Sequence, residues 1–375
     1  MLSINDGHMS QSRAGYSALI ILQRRKLARW KRGEIDATLY AKKLEQEDDL
    51  VGISPPFWHP AFSHAFILDW DGVVVETKLD FSPIYKRFFG GKRVMLLEVM
   101  QSLPQEVRAE VGRCLEEIET DGSRRAQPVP GSLELLSWLE ERSVPWGIVS
   151  RNSKASVEIA AKRAGIALPP VVITRDEKVP VKPAPEAFWK ASELMGVEPS
   201  CAVVVGDFLY DLIGARRAGM RSVLVQRMDE GWLDWVEVAY PTLADFVRSL
   251  KKPESLTPWE YRLLEVKKGR EWLEKCFRLT VQIPRDVRKP CSWGVTAAAL
   301  GVGIIAVPED LRLEASHWLN DPYFEVVDLW QPLSKILERF LRSRFPMTEV
   351  VEGSDGFLLP ADPEFLEESL GVLVQ

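Results

Sequence analysis

Residues 64–250 predict an α/β fold built on a parallel sheet, and three observations carry that reading. Short apolar runs alternate with amphipathic stretches, the pattern of parallel strands with helices on both faces. The runs stop abruptly at polar groups: Asp69 and Asp71 after the first, Ser150 to Asn152 after the second, Asp207 and Asp211 after the fourth. In an open parallel sheet those positions share one edge, at the carboxyl ends of the strands, where ligands bind.

The elements follow in order. The first strand is the run from His64 into Asp69-Trp70-Asp71-Gly72. If it stays extended through Trp70, the period of two puts both carboxylates on one side, where their repulsion calls for a cation. An insert of about residues 80–128 reads as helical, its apolar stripe formed by Leu96, Leu97, Val99, Met100, Leu103, Val107, Val111 and Leu115. Pro128, Pro130 and Gly131 end it. Helices are expected over Ser132–Arg142, Lys154–Ala164 (closed by Gly165), Pro185–Met195, Leu212–Ala218 and Thr242–Leu250. Strands are expected over Pro145–Val149, Val171–Thr174, Cys201–Val205 and Ser222–Val225.

Two flanks frame this domain. Residues 1–63 read as a helical extension, with amphipathic stretches in Ala18–Gln46 and a stiff connector at Pro55, Pro56 and Pro60. The basic group Arg24, Arg25, Lys26, Arg29, Lys31 and Arg32 is followed closely by acids, as on a solvated helix face. Residues 251–375 read as an α+β unit, with strands over Tyr261–Val266, Arg278–Ile283 and Val302–Val307 and helices over Gly269–Cys276 and Pro332–Arg342. Its Cys291 is expected to be an ordinary loop cysteine. His59 and His317 are expected to pack rather than react, and core burial is the default for the tryptophans.

Length and charge bound the function. A chain of 375 residues accommodates two or three domains and a substantial core. A net charge of -6 gives no general reason to expect nucleic acid or an anionic membrane surface. Four cysteines without metal or redox spacing suit a reducing cytoplasm. The longest apolar stretches, Tyr16–Leu22 and Ala297–Val307, are too short for a leader or a bilayer span, so a soluble cytoplasmic protein is expected.

Chemistry converges on the strand ends. Three carboxylates around one oxygen-preferring cation imply Mg²⁺ with a substrate phosphate as a further ligand. Ser150, Arg151, Asn152 and Lys182 lie where that phosphate would be held. With no His or Cys among these groups, the nucleophile is itself a carboxylate, while a second aspartate moves the proton.

The segments DWDGVVVET, IVSRN, KPAPEAF and GDFLYD, in this order, resemble the four motifs of the haloacid dehalogenase superfamily. The resemblance covers about residues 64–250, half the chain, and implies a Rossmann-like sheet. It also implies that Asp69 is nucleophile and metal ligand, and that Asp71 is general acid and base with its carbonyl on the metal. Ser150 and Asn152 would contact phosphate, and Lys182 would neutralise nucleophile and phosphate. Asp207 would supply the remaining metal carboxylate and Asp211 would support it. The small helical insert is similar to the cap of phosphoglycolate phosphatase-like members, which implies hydrolysis of a small phosphomonoester. Phe208 departs from the Ser of many members, and both flanks lack a counterpart. They leave room for a protein partner or self-association. A phosphate-binding scaffold without catalysis and a phosphoryl-transferring mutase are the alternative readings.

Overall fold

The computed structural model describes residue 53 and residues 55–374 apart from 322 and 343. The helical extension expected over Ala18–Gln46 and its basic group lie outside the described residues. The chain divides into two compact units, one of them Pro60–Lys252 and the other containing residues 55–59 with 253–374.

In chain order the first unit holds β1 (Ala65–Leu68), β2 (Val75–Glu76), α1 (Ser82–Phe88), α2 (Leu96–Met100), α3 (Gln105–Ser123) and β3 (Gln127–Pro128). It continues with α4 (Ser132–Glu141), β4 (Trp146–Val149), α5 (Lys154–Ala164), β5 (Val171–Ile173) and α6 (Glu186–Met195). β6 (Ala202–Gly206), α7 (Leu209–Arg217), β7 (Arg221–Val225), β8 (Val238–Tyr240) and α8 (Leu243–Lys251) complete it. Six strands form one sheet in the order β5-β4-β1-β6-β7-β8, with every pairing parallel.

β1 lies at the centre because all four of its side chains are apolar and buried, as a strand covered on both faces requires. Alternation divides them. Ala65 and Ile67 join Phe188 and Ala191 of α6 and Ala215 of α7. On the opposite face Phe66 meets Trp138 of α4 edge-on at 5.9 Å and Phe246 of α8 at 6.4 Å. The helices are punctuated as their sequence suggests. Ser153 Oγ accepts from Ser156 N at the start of α5, and Gly165 closes it at φ 69°.

β2 and β3 form a short antiparallel ribbon, Val75 opposite Pro128, through which the insert leaves and rejoins the core. The insert is a small helical cap with its own core, in which Ile84, Leu96, Val111 and Leu115 are buried against Tyr85, Met100, Val107 and other partly covered side chains. The ribbon and β8 lack long apolar runs and are not apparent in the sequence.

The second unit departs from the expectation of α+β. Its strands β9 (Thr280–Gln282), β10 (Ile304–Val307), β11 (Glu349–Glu352) and β12 (Phe357–Leu358) pair in the order β11-β10-β9-β12, all parallel. Tyr261–Val266, expected as a strand, falls on a helical segment: a short 3₁₀ turn over Trp259–Tyr261 and then α9 (Arg262–Lys268). Tyr261 is buried and Leu264 packs beside it while Leu263 and Val266 are exposed, a spacing that fits one face of a helix rather than a strand. The other helices are α10 (Arg270–Phe277), α11 (Pro290–Ala299), α12 (Ala315–Asn320), α13 (Leu333–Arg342) and α14 (Leu366–Leu373). Trp293, Val281, Ile305 and Leu337 lie in the core. Trp259 and Trp330 are exposed, against the default of burial. Trp58 pairs with Leu256 across two backbone hydrogen bonds of 3.0 and 2.9 Å, tying the described start of the chain into this unit. Among the described residues no helix is long and apolar enough to cross a membrane.

Candidate active site

The groups singled out from the sequence meet at the carboxyl edge of the six-stranded sheet. β1 ends at Leu68, one residue before Asp69, so strand periodicity does not align the two carboxylates. A turn does the work. Gly72 adopts φ 79°, its N–H donates to Val75 O at 2.8 Å, and Val74 and Val75 both donate to Trp70 O at 3.0 Å. That turn buries Trp70 and sends the carboxylates to different partners.

Asp69 N is fixed to Val205 O of β6 at 2.9 Å, which registers the ends of the first and fourth motifs. Its Oδ1 accepts from Trp70 N at 2.7 Å and from Lys182 Nζ at 2.7 Å. Lys182 Nζ also meets Asp211 Oδ1 at 2.6 Å, so one ammonium spans two carboxylates. Burial opposes the charge on Lys182, but Asp211 and Asp69 outweigh it and lift its pKa above the ordinary lysine value. The lysine remains a cation.

Asp69, Asp207 and Asp211 each offer a carboxylate oxygen within 4.8 Å of the others. Burial first, then repulsion from Asp69, pushes Asp207 up to about 7 and Asp211 up to about 8. Two acids raised this far, one of them fully buried, mark a negative crowd that a cation would relieve. The donor set is all oxygen, the type Mg²⁺ prefers. Gly72 keeps the place open, since a Cβ there would stand 2.4 Å from Asp207 Oδ2. The residues therefore fit the expected ion.

Asp71 stands outside that trio. Its Oδ1 accepts from Thr77 N at 3.1 Å and from the Thr77 hydroxyl, and its Oδ2 accepts from Asn152 Nδ2 at 2.7 Å. Burial raises its pKa, with Asp69 adding to the effect and the Thr77 and Asn152 hydrogen bonds opposing it. An acid raised by burial and hydrogen-bonded through both oxygens suits proton transfer.

Of the expected phosphate contacts, Ser150 is buried at the end of β4 and its Oγ accepts from Asn152 N at 3.1 Å. Asn152 directs its amide to Asp71. Arg151 faces the cap, where Nη1 and Nη2 grip Glu98 of α2 at 2.7 and 2.9 Å. Thr77, Glu98 and Arg227 were not singled out from the sequence. Thr77 sits inside DWDGVVVET, so its position was available, whereas Arg227, whose Nε lies 3.3 Å from Asp207 Oδ2, follows β7 without any motif. Phe208 joins Tyr210 at 4.9 Å and Trp232 at 5.0 Å in an aromatic cluster beside Asp207. Its backbone N–H still donates to Asp211 Oδ2 at 3.3 Å, so the departure from Ser leaves the helix start intact.

Outside this edge the other candidates are structural. Cys291 lies in the first turn of α11 rather than in a loop, and burial, then Asp321, raises its thiol pKa. His317 Nδ1 accepts from Glu314 N, and burial pushes His59 down to about 4.

A family model described as haloacid dehalogenase-like hydrolase matches residues 80–219. Hexitol phosphatase A of Escherichia coli (strain K12) is 32% identical over 120 residues, 32% of this chain and 55% of the relative. N-acetylmuramic acid 6-phosphate phosphatase of Pseudomonas putida is 26% identical over 183 residues, 43% of this chain and 82% of the relative. The chain thus spans about half the length of the first of these relatives. A solved hydrolase from Pseudomonas syringae superposes with a TM-score of 0.43 at 21% identity, covering 50% of this chain and 98% of that one. Residues 80–219, which match the haloacid dehalogenase-like hydrolase model, lie within Pro60–Lys252, the unit that gathers the four motifs.

Proposed function

We propose that this domain hydrolyses a small phosphomonoester in a Mg²⁺-dependent reaction that passes through an aspartyl phosphate on Asp69. The observation that carries the reading is the Lys182 ammonium set between Asp69 and Asp211, with Asp207 completing a carboxylate trio. The phosphatase names of the relatives support the reaction class.

Asp69 Oδ1 is engaged by Trp70 N and Lys182, which leaves Oδ2 for attack on phosphorus. As the new O–P bond forms, the bond to the leaving alcohol breaks and Asp71 gives that oxygen a proton, exchanging its Asn152 contact for the substrate. Asp71 then takes a proton from water, which attacks the same phosphorus and returns Asp69 to a carboxylate. Lys182 holds the nucleophile and offsets phosphate charge, and Ser150 offers its hydroxyl at the strand end. Mg²⁺, held by Asp69 and Asp207 with Asp211 behind them, would neutralise the phosphoryl oxygens and the carboxylate crowd.

The cap resemblance favours a phosphoglycolate-like ester, and the relatives' names add sugar and hexitol phosphates. A panel of such esters assayed with Mg²⁺, beside Asp69→Asn, decides the matter. Turnover by the wild type and none by the variant is expected. Equal rates for the two proteins would remove Asp69 from the mechanism.

A further inference from the structure

Two cations near the strand ends are joined to each other. Lys182 turns its ammonium to Asp69, while its backbone carbonyl accepts from Arg151 Nη1. Arg151 lays its guanidinium 4.8 Å from the centre of the Tyr210 ring and closes both outer nitrogens on the Glu98 carboxylate of the cap. A continuous path of contacts therefore runs from α2 through Arg151 to the lysine that grips Asp69.

We propose that Glu98 and Arg151 are positioning residues that latch the cap shut and, through the Lys182 carbonyl, hold the Lys182 ammonium in place against Asp69. The inference rests on the phosphatase reading above. Bidentate pairing fixes direction as well as distance, so a cap held by this fork has one orientation over the site. Glu98 and Arg151 retain 35% and 20% of their side-chain exposure, so water reaches the pair from one side.

The rest of the cap is fastened differently. Glu119 of α3 is buried against Arg175 and accepts from Ser153 N at 3.3 Å, and Ser123 Oγ meets Ser156 Oγ of α5 at 2.7 Å. α3 is thus fastened to α5 by buried contacts, whereas α2 reaches the strand ends through the partly exposed Glu98–Arg151 pair, whose opening would loosen the cap edge that admits substrate and releases product. Glu98 also engages both outer nitrogens of Arg151, which adjoins Ser150 in sequence.

The alternative role for Arg151, direct phosphate binding, predicts a different kinetic pattern. If Glu98 merely sequesters a phosphate ligand, Glu98→Ala frees the guanidinium and lowers KM. If the pair positions Lys182, Glu98→Ala and Arg151→Ala each lower kcat about tenfold with KM little changed, and the double variant is no worse than the worse single one. Hydrogen exchange supplies a readout independent of turnover: amides of α2 should exchange faster in Glu98→Ala while those of α3 keep their protection. Additive losses in kcat, a lowered KM, or unchanged exchange in α2 would overturn the latch. Absence of turnover by the wild type on every ester would sink the phosphatase reading instead, and the exchange result would still decide whether Glu98 holds α2. Glu98→Ala removes a half-exposed cap side chain, so the test survives even if Arg151→Ala fails to fold.

Discussion

Gly72 and Asp207 occupy one space, for a Cβ built on Gly72 would lie 2.4 Å from Asp207 Oδ2 and 2.5 Å from its Cγ. The turn after β1 is therefore packed backbone against carboxylate, and the fourth motif can approach the first only because the second residue after Asp-x is no larger. Gly72→Ala combines two penalties: a left-handed φ of 79° and an overpacked contact. Overpacking alone costs about 1–3 kcal/mol. The variant should melt several degrees lower and lose most of the proposed phosphatase activity, because Asp207 must move. Full activity at an unchanged Tm would show that the close approach is not needed.

A second expectation concerns pH. Asp207 at about 7 and Asp211 at about 8 bind protons in the folded protein that the unfolded chain, with ordinary aspartates, has already released. Acids raised in this way contribute stability that is full below the unfolded pKa and is lost as pH rises through the folded values. Metal-free protein should thus become less stable between about pH 4 and 8, the window set by those shifts. Mg²⁺ binds the ionised forms, so its stabilising effect should grow over the same interval. Thermal melts with and without Mg²⁺ at pH 5.5 and 8 measure both trends. A magnesium effect that is equal at the two pH values would contradict the carboxylate trio as its site.

Asp69→Asn separates charge from chemistry. Repulsion from Asp69 follows burial among the causes that raise Asp207 and Asp211, so removing that charge should let both ionise at lower pH. The expected outcome is lost turnover together with a metal-free Tm, at pH 7.5, no lower than that of the wild type. Lys182 keeps Asp211 as a partner, which limits the cost of losing Asp69. A large fall in Tm would mean that Asp69 stabilises the fold through Lys182 more than it repels its neighbours.

Those results bear on how much of the molecule its sequence discloses. The alternation of apolar runs located β1, β4, β5, β6 and β7, because a strand buried on both faces must be apolar along its length. Polar residues at the ends of those strands located the edge. What spacing could not show was direction. Asp69 and Asp71 are two residues apart, yet the turn at Gly72 gives one to Lys182 and the other to Thr77 and Asn152. Arg151 stands beside Ser150 in sequence but is claimed by Glu98, 53 residues away. In the second unit the runs Arg278–Ile283 and Val302–Val307 located β9 and β10, but β11 and β12, four and two residues long, fell in no expected strand, so the all-parallel order was not legible.

The last expectation tests the proton-carrying role assigned to Asp71. Thr77 donates both its N–H and its hydroxyl to Oδ1, and each bond favours the ionised acid against the burial that raises it. Thr77→Val keeps the shape and the backbone bond but removes the hydroxyl. Loss of that hydrogen bond removes an interaction that favours the ionised acid, so the Asp71 pKa should rise further. If Asp71 must be ionised to activate water, the acid limb of the kcat profile should move to higher pH, with the alkaline side little changed. The variant should then be slow at low pH and nearly normal where the raised acid is again ionised. A uniform loss at every pH would mean that Thr77 orients Asp71 without tuning it, and an unshifted acid limb would assign that limb to a different group.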